Sequence, residues 1–403
     1  DAAVYAQPDE EPDAALFSKA DLTITGAGAL KVTGRAGDAI ASKDGLVVAG
    51  GQLTVEAADD ALRGRDYLRL SGGTVSILAQ GDGLKATNDE DLGAGYVLLE
   101  GAEVEVDAAT DCADAATDLL VTAGEATLTC GDDALHGERR LVVDGGSVTV
   151  VESFEGLEAE VVVIAGGEIQ VQASDDAVNA AAGDDLTAAG DDVGEWGGAP
   201  RGPGGGRGVE EGVTLVITGG RLTAVAGGDG LDSNGTGLIT GGEVAVYAPA
   251  RGMEGPFDIA DGGPVINGGV VWALGIGSGA GSGLDPGPGR GWGAGAISAP
   301  DAASTQSWLA SALAEAASAG TELAASDQSG QLVAAITLSQ PVSSSVLSAP
   351  ALTNGATYVV SAGASTVEVT AGVALTGGGS VGGGRGGRGG QFGGDPSQRP
   401  GPG

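Results

Sequence analysis

Short runs of alternating hydrophobic and polar residues recur along most of the chain. Leu46-Val47-Val48 and Leu53-Thr54-Val55 are two such runs, and Gly50-Gly51 separates them. Alternation over so few residues, with turn residues between the runs, is typical of β-strands. Glycine accepts positive φ and the close approach of stacked backbones, so the pair predicts a corner. The pair recurs at Gly72-Gly73, Gly145-Gly146, Gly166-Gly167, Gly219-Gly220, Gly241-Gly242 and Gly268-Gly269.

An acidic residue marks one phase of the repeat, and in most units an apolar residue follows two positions later. The acids are Asp38, Asp60, Asp82, Asp111, Asp133, Glu155, Asp176 and Asp229, with spacings of 22, 22, 29, 22, 22, 21 and 53 residues. A fixed period with insertions confined to a few units is the signature of a solenoid. No segment has helical periodicity long enough for the crossover of a βαβ unit. The pattern therefore predicts an all-β protein, a parallel β-helix with an interior of Ile, Leu, Val and Ala.

Changes in composition divide the chain into segments. We expect an extended lead-in at 1–12, the β-helix at 13–276 with an inserted Gly-rich loop at 183–212, a Gly/Pro-rich linker at 277–303, a small β module at 304–375 and a Gly-rich flexible tail at 376–403. Within the module, the stretch from Trp308 to Ala317 predicts a short helix. No amphipathic cap precedes the first coil at 13–36, in which Leu16 takes the place of Ile40. Because an open end exposes apolar side chains and strand edges, we expect an upstream segment or another chain to cover it.

The charge balance narrows the choice of partner. The formal net charge is -37, from 55 acidic and 18 basic residues, and nucleic acid is a poor partner for such a field. Divalent cations are good partners for such a field. The acids also recur at one position of the repeat, which favours metal binding. The alternative is that the acids only keep the protein soluble. The sequence contains no apolar run as long as a membrane helix, so we expect no membrane span.

The acid phase gives the candidate metal ligands. Calcium takes six to eight oxygens from carboxylates, carbonyls and water, and neighbouring strands about 4.8 Å apart bring carboxylates of successive units together. The predicted ligands are Asp38, Asp59, Asp60, Asp82, Asp89, Asp91, Asp111, Asp132, Asp133, Glu155, Asp175, Asp176, Asp229 and Asp232. Asp89 to Glu100 resembles an EF-hand loop, but Ala94 replaces its required glycine. The resulting expectation is calcium-dependent stability.

Basic residues concentrate near the same phase. Arg63, Lys85 and His136 share the position three after the acid, and Lys43 and Arg65 lie close by in the sequence. These five residues are the predicted ligand-binding cations, which would pair with carboxylates of an acidic polysaccharide. An equal alternative is that they only balance the acidic corner. His136 is the only histidine, so catalysis by a histidine would depend on it alone.

The chain has two cysteines, Cys112 and Cys130. Aligned to the repeat, they fall near one corner on adjacent levels, so a disulfide is feasible and would indicate an oxidising compartment. The alternative is two unpaired small buried residues.

The repeat motifs also resemble a known family. DDALRGRDYLRLSGGTVSI, GDGLKATNDED, GDDALHG and SDDAVNAA are similar to motifs of the bacterial carbohydrate-binding β-helix proteins, which are secreted, calcium-loaded and similar in fold to pectate lyases. The resemblance covers about residues 9 to 375. It implies a right-handed parallel β-helix, calcium at the Asp-rich corners, and binding of plant or microbial polysaccharides, particularly acidic ones. Arg251 departs from the pattern because it stands in the acid phase.

We therefore expect a secreted, calcium-dependent protein that binds acidic or cell-wall polysaccharide without catalysis. Two other classes stay open. One is a structural protein whose β-helices stack end to end into an extracellular filament. The other is a pectate-lyase-like enzyme in which Arg63 or Lys85 acts as the base in β-elimination.

Overall fold

The computed structural model describes residues 14–182, 209–249, 254–276 and 297–374. The predicted lead-in, the tail, Arg251 and most of the predicted loop and linker lie outside these ranges. The described residues form strands and no helix, so the all-β prediction is confirmed. No helix in the described part of the chain is long and apolar enough to cross a membrane.

The strands are short or bent at the glycine corners. The first eleven are Ala14–Ser18 (β1), Leu22–Ile24 (β2), Ala29–Gly34 (β3), Asp38–Ser42 (β4), Gly45–Ala57 (β5), Leu62–Gly64 (β6), Tyr67–Ala79 (β7), Leu84–Ala86 (β8), Tyr96–Ala108 (β9), Ala113–Ala115 (β10) and Asp118–Cys130 (β11). The next eleven are Leu135–Val143 (β12), Ser147–Ser153 (β13), Leu157–Ile164 (β14), Glu168–Ala173 (β15), Val178–Ala180 (β16), Thr214–Ile217 (β17), Arg221–Val225 (β18), Leu231–Ser233 (β19), Thr236–Pro249 (β20), Phe257–Ile259 (β21) and Val265–Ile276 (β22). The last six are Trp308–Ala317 (β23), Glu322–Asp327 (β24), Leu332–Thr337 (β25), Val342–Ser348 (β26), Thr357–Ala362 (β27) and Ser365–Thr370 (β28).

Each repeat pairs in parallel with the next one at the predicted register. Leu62 is opposite Leu84, and Leu53 is opposite Val75. The first coil joins the stack in the same way, with Leu16 opposite Ile40. Because paired positions are one repeat apart, a residue type that recurs with the period forms a continuous ladder along the stack.

Apolar ladders fill the interior of the stack. Leu62, Leu68 and Leu84 are fully buried and belong to one continuous core cluster. Burying each such side chain contributes about 1.5–3 kcal/mol. The glycine corner is equally constrained, since Gly73 has a φ of +88° and a Cβ there would lie 2.6 Å from the carbonyl oxygen of Gly51. The buried apolar side chains and the glycine corners therefore fix how each repeat is oriented relative to its neighbours.

The C-terminal segment covers the last repeat. Strand β26 pairs in antiparallel fashion with β22 and with β23, whereas β25, β24, β27 and β28 form a separate four-stranded sheet. The predicted helix from Trp308 to Ala317 is wrong, because this stretch is strand β23. Its alanines favour a helix in isolation, but pairing with β26 and burial of Leu309 override that weak propensity.

Candidate functional site

The recurrent acids form a hydrogen-bonded column. The backbone N–H of Asp82 donates to Oδ1 of Asp60 at 3.0 Å, that of Asp111 donates to Oδ1 of Asp82 at 3.1 Å, and that of Asp133 donates to Oδ1 of Asp111 at 2.9 Å. The same contact recurs further on, where Oδ1 of Asp176 accepts the N–H of Asp229 at 2.6 Å. We call the eight recurrent acids the acid column, namely Asp38, Asp60, Asp82, Asp111, Asp133, Glu155, Asp176 and Asp229. One oxygen of such a carboxylate thus stabilises the next corner, which explains the recurrence without any ligand.

A second ladder runs beside the acid column, three residues further along each repeat. We call it the outer ladder, and its paired members in order are Phe17, Ala41, Arg63, Lys85, Asp114, His136, Glu158, Asn179, Asp232 and Asp258. Arg63, Lys85 and His136 therefore share one ladder, as the alignment of the internal repeats predicts. Beyond Lys85 the ladder contains no lysine or arginine, so its charge changes from mixed to acidic along the stack.

Basic side chains of the first repeats are already paired within the chain. Arg63 forms an ion pair with Asp38. Lys85 pairs with Asp82 and, at 3.2 Å, with Asp114. His136 Nδ1 lies 3.5 Å from Oδ1 of Asp114. The acid column, the outer ladder and the acids directly beside them together form the strip. We call its ladder members Arg63, Lys85, Asp114 and His136, with the column acids Asp38, Asp60, Asp82 and Asp111, the mixed half.

These pairs set the protonation states of the mixed half. Burial lowers the pKa of His136, but the hydrogen bond and charge of Asp114 outweigh it and raise the pKa to about 9. Burial likewise opposes the charge of Lys85, and its carboxylate partners raise its pKa above the usual value. Asp114 stays ionised, because His136 and Lys85 outweigh its burial and lower its pKa. Both basic groups are therefore cationic at neutral pH.

The following repeats bring carboxylates together, and His136 is the last cation of the outer ladder, bordering Asp133 and Glu158. Asp133, Glu155 and Glu158 each place a carboxylate oxygen within 4.8 Å of the others. Asp176, Asp229 and Glu254 form a second group of the same kind. We call the strip from Asp133 and Glu158 to Asp229 and Asp258 the acidic half.

Electrostatics in the acidic half disfavour the charged carboxylates. Burial, together with the neighbouring acids, raises the pKa of Glu155 to about 7 and that of Asp229 to about 8. Asp232 is raised to a pKa of about 7 for the same reasons. Asp133 and Glu158 are hydrogen-bonded to each other, and burial raises the pKa of both. The acidic half is therefore a set of mostly half-buried carboxylates, with Glu254 and Asp258 exposed, whose ionised form an added cation would stabilise.

Asn179 adds an amide oxygen at the centre of the acidic half. Its side chain is 8% exposed, and its Nδ2 donates to Oε2 of Glu155 at 2.9 Å. Its Oδ1 is buried without a hydrogen-bond partner. A buried polar atom without a partner costs free energy, and an oxygen among carboxylates is a ligand that calcium accepts. The donor set of this half thus fits a hard divalent cation.

Other predicted ligands lie outside the two carboxylate groups of the acidic half. Asp59 and Asp132 are exposed beside the column, within 4.8 Å groups of their own with Asp38 and Asp60 and with Asp111 and Asp133. Asp175 is half-buried before Asp176.

The insertion acids Asp89 and Asp91 lie in the loop between β8 and β9, and Asp91 forms hydrogen bonds within that loop. Oδ1 of Asn88 accepts the N–H groups of Glu90 and Asp91, and Oδ1 of Asp91 accepts that of Gly93. Arg65 pairs with Glu90 at 2.9 Å, on this loop and away from the outer ladder. Lys43 is exposed at the surface of the second repeat.

Sequence reasoning missed four polar members of the strip, namely Glu158, Asn179, Glu254 and Asp258. The signal for three of them was present, since Glu158, Asn179 and Asp258 continue the ladder position of His136. The change from basic to acidic residues at this position is therefore visible in the repeat itself.

Cys112 and Cys130 form a disulfide with a Cα–Cα distance of 5.5 Å. Both side chains are buried. Cys112 directly follows Asp111 of the acid column, and Cys130 is the last residue of strand β11. The disulfide therefore closes the repeat where the mixed half meets the acidic half.

Comparison with known proteins gives one match. A family model described as carbohydrate-binding domain-containing protein matches residues 1–193 and 132–255, so it includes the whole of the strip up to Glu254. No curated protein and no solved structure matches the chain.

Proposed function

Because the chain belongs to the family of carbohydrate-binding domain-containing proteins, we propose that it is a calcium-dependent polysaccharide-binding protein for acidic, uronate-containing or cell-wall glycans. The observation that carries this proposal is the acidic half, where half-buried carboxylates cluster and the outer ladder has no lysine or arginine. Such a cluster favours a divalent cation, and a cation is what an anionic glycan needs to approach a chain with a net charge of -37.

The residues that would hold calcium are those of the two carboxylate groups. Asp133, Glu155 and Glu158 supply one set of oxygens, and Asp176, Asp229 and Glu254 supply the other. When bound, calcium supplies a positive charge and further coordination positions for oxygen ligands. Raised pKa values support this role, since the same burial that disfavours bare carboxylates favours their neutralisation by a cation.

Arg63, Lys85 and His136 act as internal counter-ions in this proposal. Their ion pairs with Asp38, Asp82 and Asp114 support it, because a glycan carboxylate would have to compete with those partners. The same applies to Arg65, which pairs with Glu90. Of the two interpretations of the basic ladder, the geometry favours charge balance over direct contact with the ligand.

We propose binding without turnover. A lysine that acts as a base in β-elimination must lose its proton near neutral pH, whereas the carboxylates around Lys85 raise its pKa above the usual value. Arg63 is held by Asp38. These pairings disfavour the lyase alternative.

The finer description of fold and location is part of the same proposal. Parallel pairing at a 22-residue register supports a right-handed parallel β-helix. The Cys112–Cys130 disulfide supports a secreted protein, since disulfides persist in oxidising compartments.

End-to-end stacking into a filament is the structural alternative. Its simplest form would pair the last repeat of one molecule in parallel with the first repeat of the next. Strand β22 of the last repeat instead pairs in antiparallel fashion with β26 of the same chain. This end is therefore covered by the protein itself, which disfavours a parallel head-to-tail contact.

A polysaccharide panel in calcium and in EDTA tests the proposal. We expect retention on polygalacturonate in calcium, weaker retention in EDTA, and no rise in the absorbance of unsaturated uronides. Lack of binding to every polysaccharide in calcium would contradict the binding function. A steady rise in absorbance that disappears in Lys85→Ala would assign the protein to the lyases.

A further inference from the structure

We propose that a glycan ring stacks on Phe154, beside the acidic half. Phe154 and the nearby Val151 are exposed apolar side chains, and we call this pair the apolar step. The inference rests on the proposed carbohydrate-binding function and deepens it, because it assigns a contact to the neutral face of the sugar. Phe154 is outside every ligand set considered so far.

A β-bulge in strand β13 produces this step. The register with the neighbouring repeats shifts between Val150 and Ser153, so that Ser153 takes the interior position opposite Ala173. Ser153 is 2% exposed, whereas Val151 and Phe154 are 48% and 46% exposed. Bulges re-aim side chains while leaving the flanking ladder intact. Val151 faces outward at the bulge, and Phe154 faces outward at the corner that follows Ser153, so one short segment exposes two apolar side chains.

The step lies directly against the acid column. Phe154 precedes the column residue Glu155, its N–H donates to the carbonyl oxygen of Asp132 at 2.9 Å, and its carbonyl oxygen accepts the N–H of Asp175 at 2.9 Å. Asp132 and Asp175 each precede a column acid in the adjacent repeats. The backbone of Phe154 is thus hydrogen-bonded to an aspartate residue of each adjacent repeat.

Phe154 is the one aromatic among the exposed large hydrophobic residues of the described ranges, whereas Phe17 and Trp308 are partly buried. Tyr67 and Tyr96 are half-buried and stack on each other, with ring centroids 5.5 Å apart. Trp272, Tyr247 and Phe257 are buried in the core. An exposed phenyl ring in contact with water forfeits the stabilisation of burial, and here a second exposed apolar side chain, Val151, lies three residues before it.

Sugar rings match this arrangement chemically. The faces of a pyranose present C–H groups that pack on an aromatic ring, and its equatorial hydroxyl groups donate hydrogen bonds outward. At Phe154 those donors would meet acceptors on Asp132 and Asp175. The apolar face carries no charge, so it accepts the ring of a neutral or a uronate sugar, and a uronate carboxylate would depend on the proposed calcium nearby.

The test compares variants of exposed apolar residues by calorimetric titration with the polysaccharide that the wild type binds best in calcium. Phe154→Ala is expected to bind about tenfold more weakly, as the loss of one aromatic packing contact implies. Phe154→Trp is expected to retain or increase the affinity. Leu92→Ala is the matched control, because Leu92 is 67% exposed in the 87–95 loop, and its affinity should stay within about twofold of wild type.

Three outcomes would overturn the inference. The first is a Phe154→Ala affinity within about twofold of wild type. The second is a wild-type dimer in sedimentation that Phe154→Ala dissociates, which would assign the step to self-association. The third is a wild type that binds no glycan, which removes the proposed function as well. If Phe154→Ala abolishes glycan binding but keeps the calcium-induced rise in Tm, the stacking role is separated from the metal site.

Discussion

Each carboxylate of the acid column has a structural role before it has a functional one. Oδ1 of Asp229 accepts the N–H of Gly255 at 2.6 Å, and its pKa is raised to about 8 by burial and by the neighbouring acids. The hydrogen bond needs only an oxygen, whereas a metal needs the negative charge. Amide and alanine substitutions at this position therefore separate the two roles.

Asp229→Asn should be at least as stable as wild type in EDTA, because it keeps an acceptor for Gly255 and removes repulsion from Asp176 and Asp258. Asp229→Ala should lose about 1–3 kcal/mol in EDTA, since the N–H is left without a partner. Both variants should lose part of the calcium-induced rise in Tm. Thermal melts in EDTA and in calcium measure this, and an Asn variant that keeps the full calcium effect would exclude Asp229 as a ligand.

At the residue scale, sequence periodicity predicted where a side chain lies in the repeat better than it predicted which side chains contact each other. The shared phase of Arg63, Lys85 and His136 was visible because a period of 22 aligns them. Their partners were not visible, since Lys85 reaches both Asp82 in its own repeat and Asp114 in the next. A period gives the order of side chains along a ladder, but the direction of a long side chain depends on packing that the period does not contain.

Among the elements, those with strong repetition were predictable and those made by tertiary pairing were not. The strands around Leu53 and Val75 follow from alternation and glycine corners. Strand β23 was predicted as a helix, because only β26, some thirty residues later, makes it a strand. The bulge before Phe154 was also missed, since it arises from a one-residue shift that preserves the overall spacing.

The disulfide joins two elements that the other repeats hold together without one. Alanine occupies the equivalents of Cys130 and Cys112 elsewhere, at Ala108 and Ala134. The double variant Cys112→Ala/Cys130→Ala should therefore fold normally but be about 3 kcal/mol less stable, from the loss of a short cross-linked loop. Denaturant unfolding beside the reduced wild type measures this. Equal stability of the variant and the oxidised wild type would show that the stack alone fixes this repeat.

At the scale of the molecule, the strip changes along the stack from ion pairs in the mixed half to clustered carboxylates in the acidic half. Metal-free protein should lose stability as the pH rises from 5 to 8. The folded-state pKa values of Glu155, Asp229 and Asp232 are raised to about 7, 8 and 7, so the native state binds more protons than the unfolded chain in this window. His136 acts in the same direction, because its stabilising charge is lost as the pH rises through about 9.

Melts in EDTA across this pH range check the prediction, with Asp229→Asn as the control that should respond less. A Tm that rises with pH in EDTA would contradict the electrostatic description of the acidic half. In calcium the dependence should weaken or reverse, because a metal ion binds ionised carboxylates and its affinity increases as they lose protons.

A crystal structure with calcium and a uronate oligosaccharide tests the central claim most directly, because it locates the cation and the sugar on the strip. The account predicts calcium at Asp133, Glu155 and Glu158 or at Asp176, Asp229 and Glu254, with a sugar ring against Phe154. Calcium bound in the mixed half, or a sugar carboxylate bound to Arg63 and Lys85 in place of their internal partners, would contradict it.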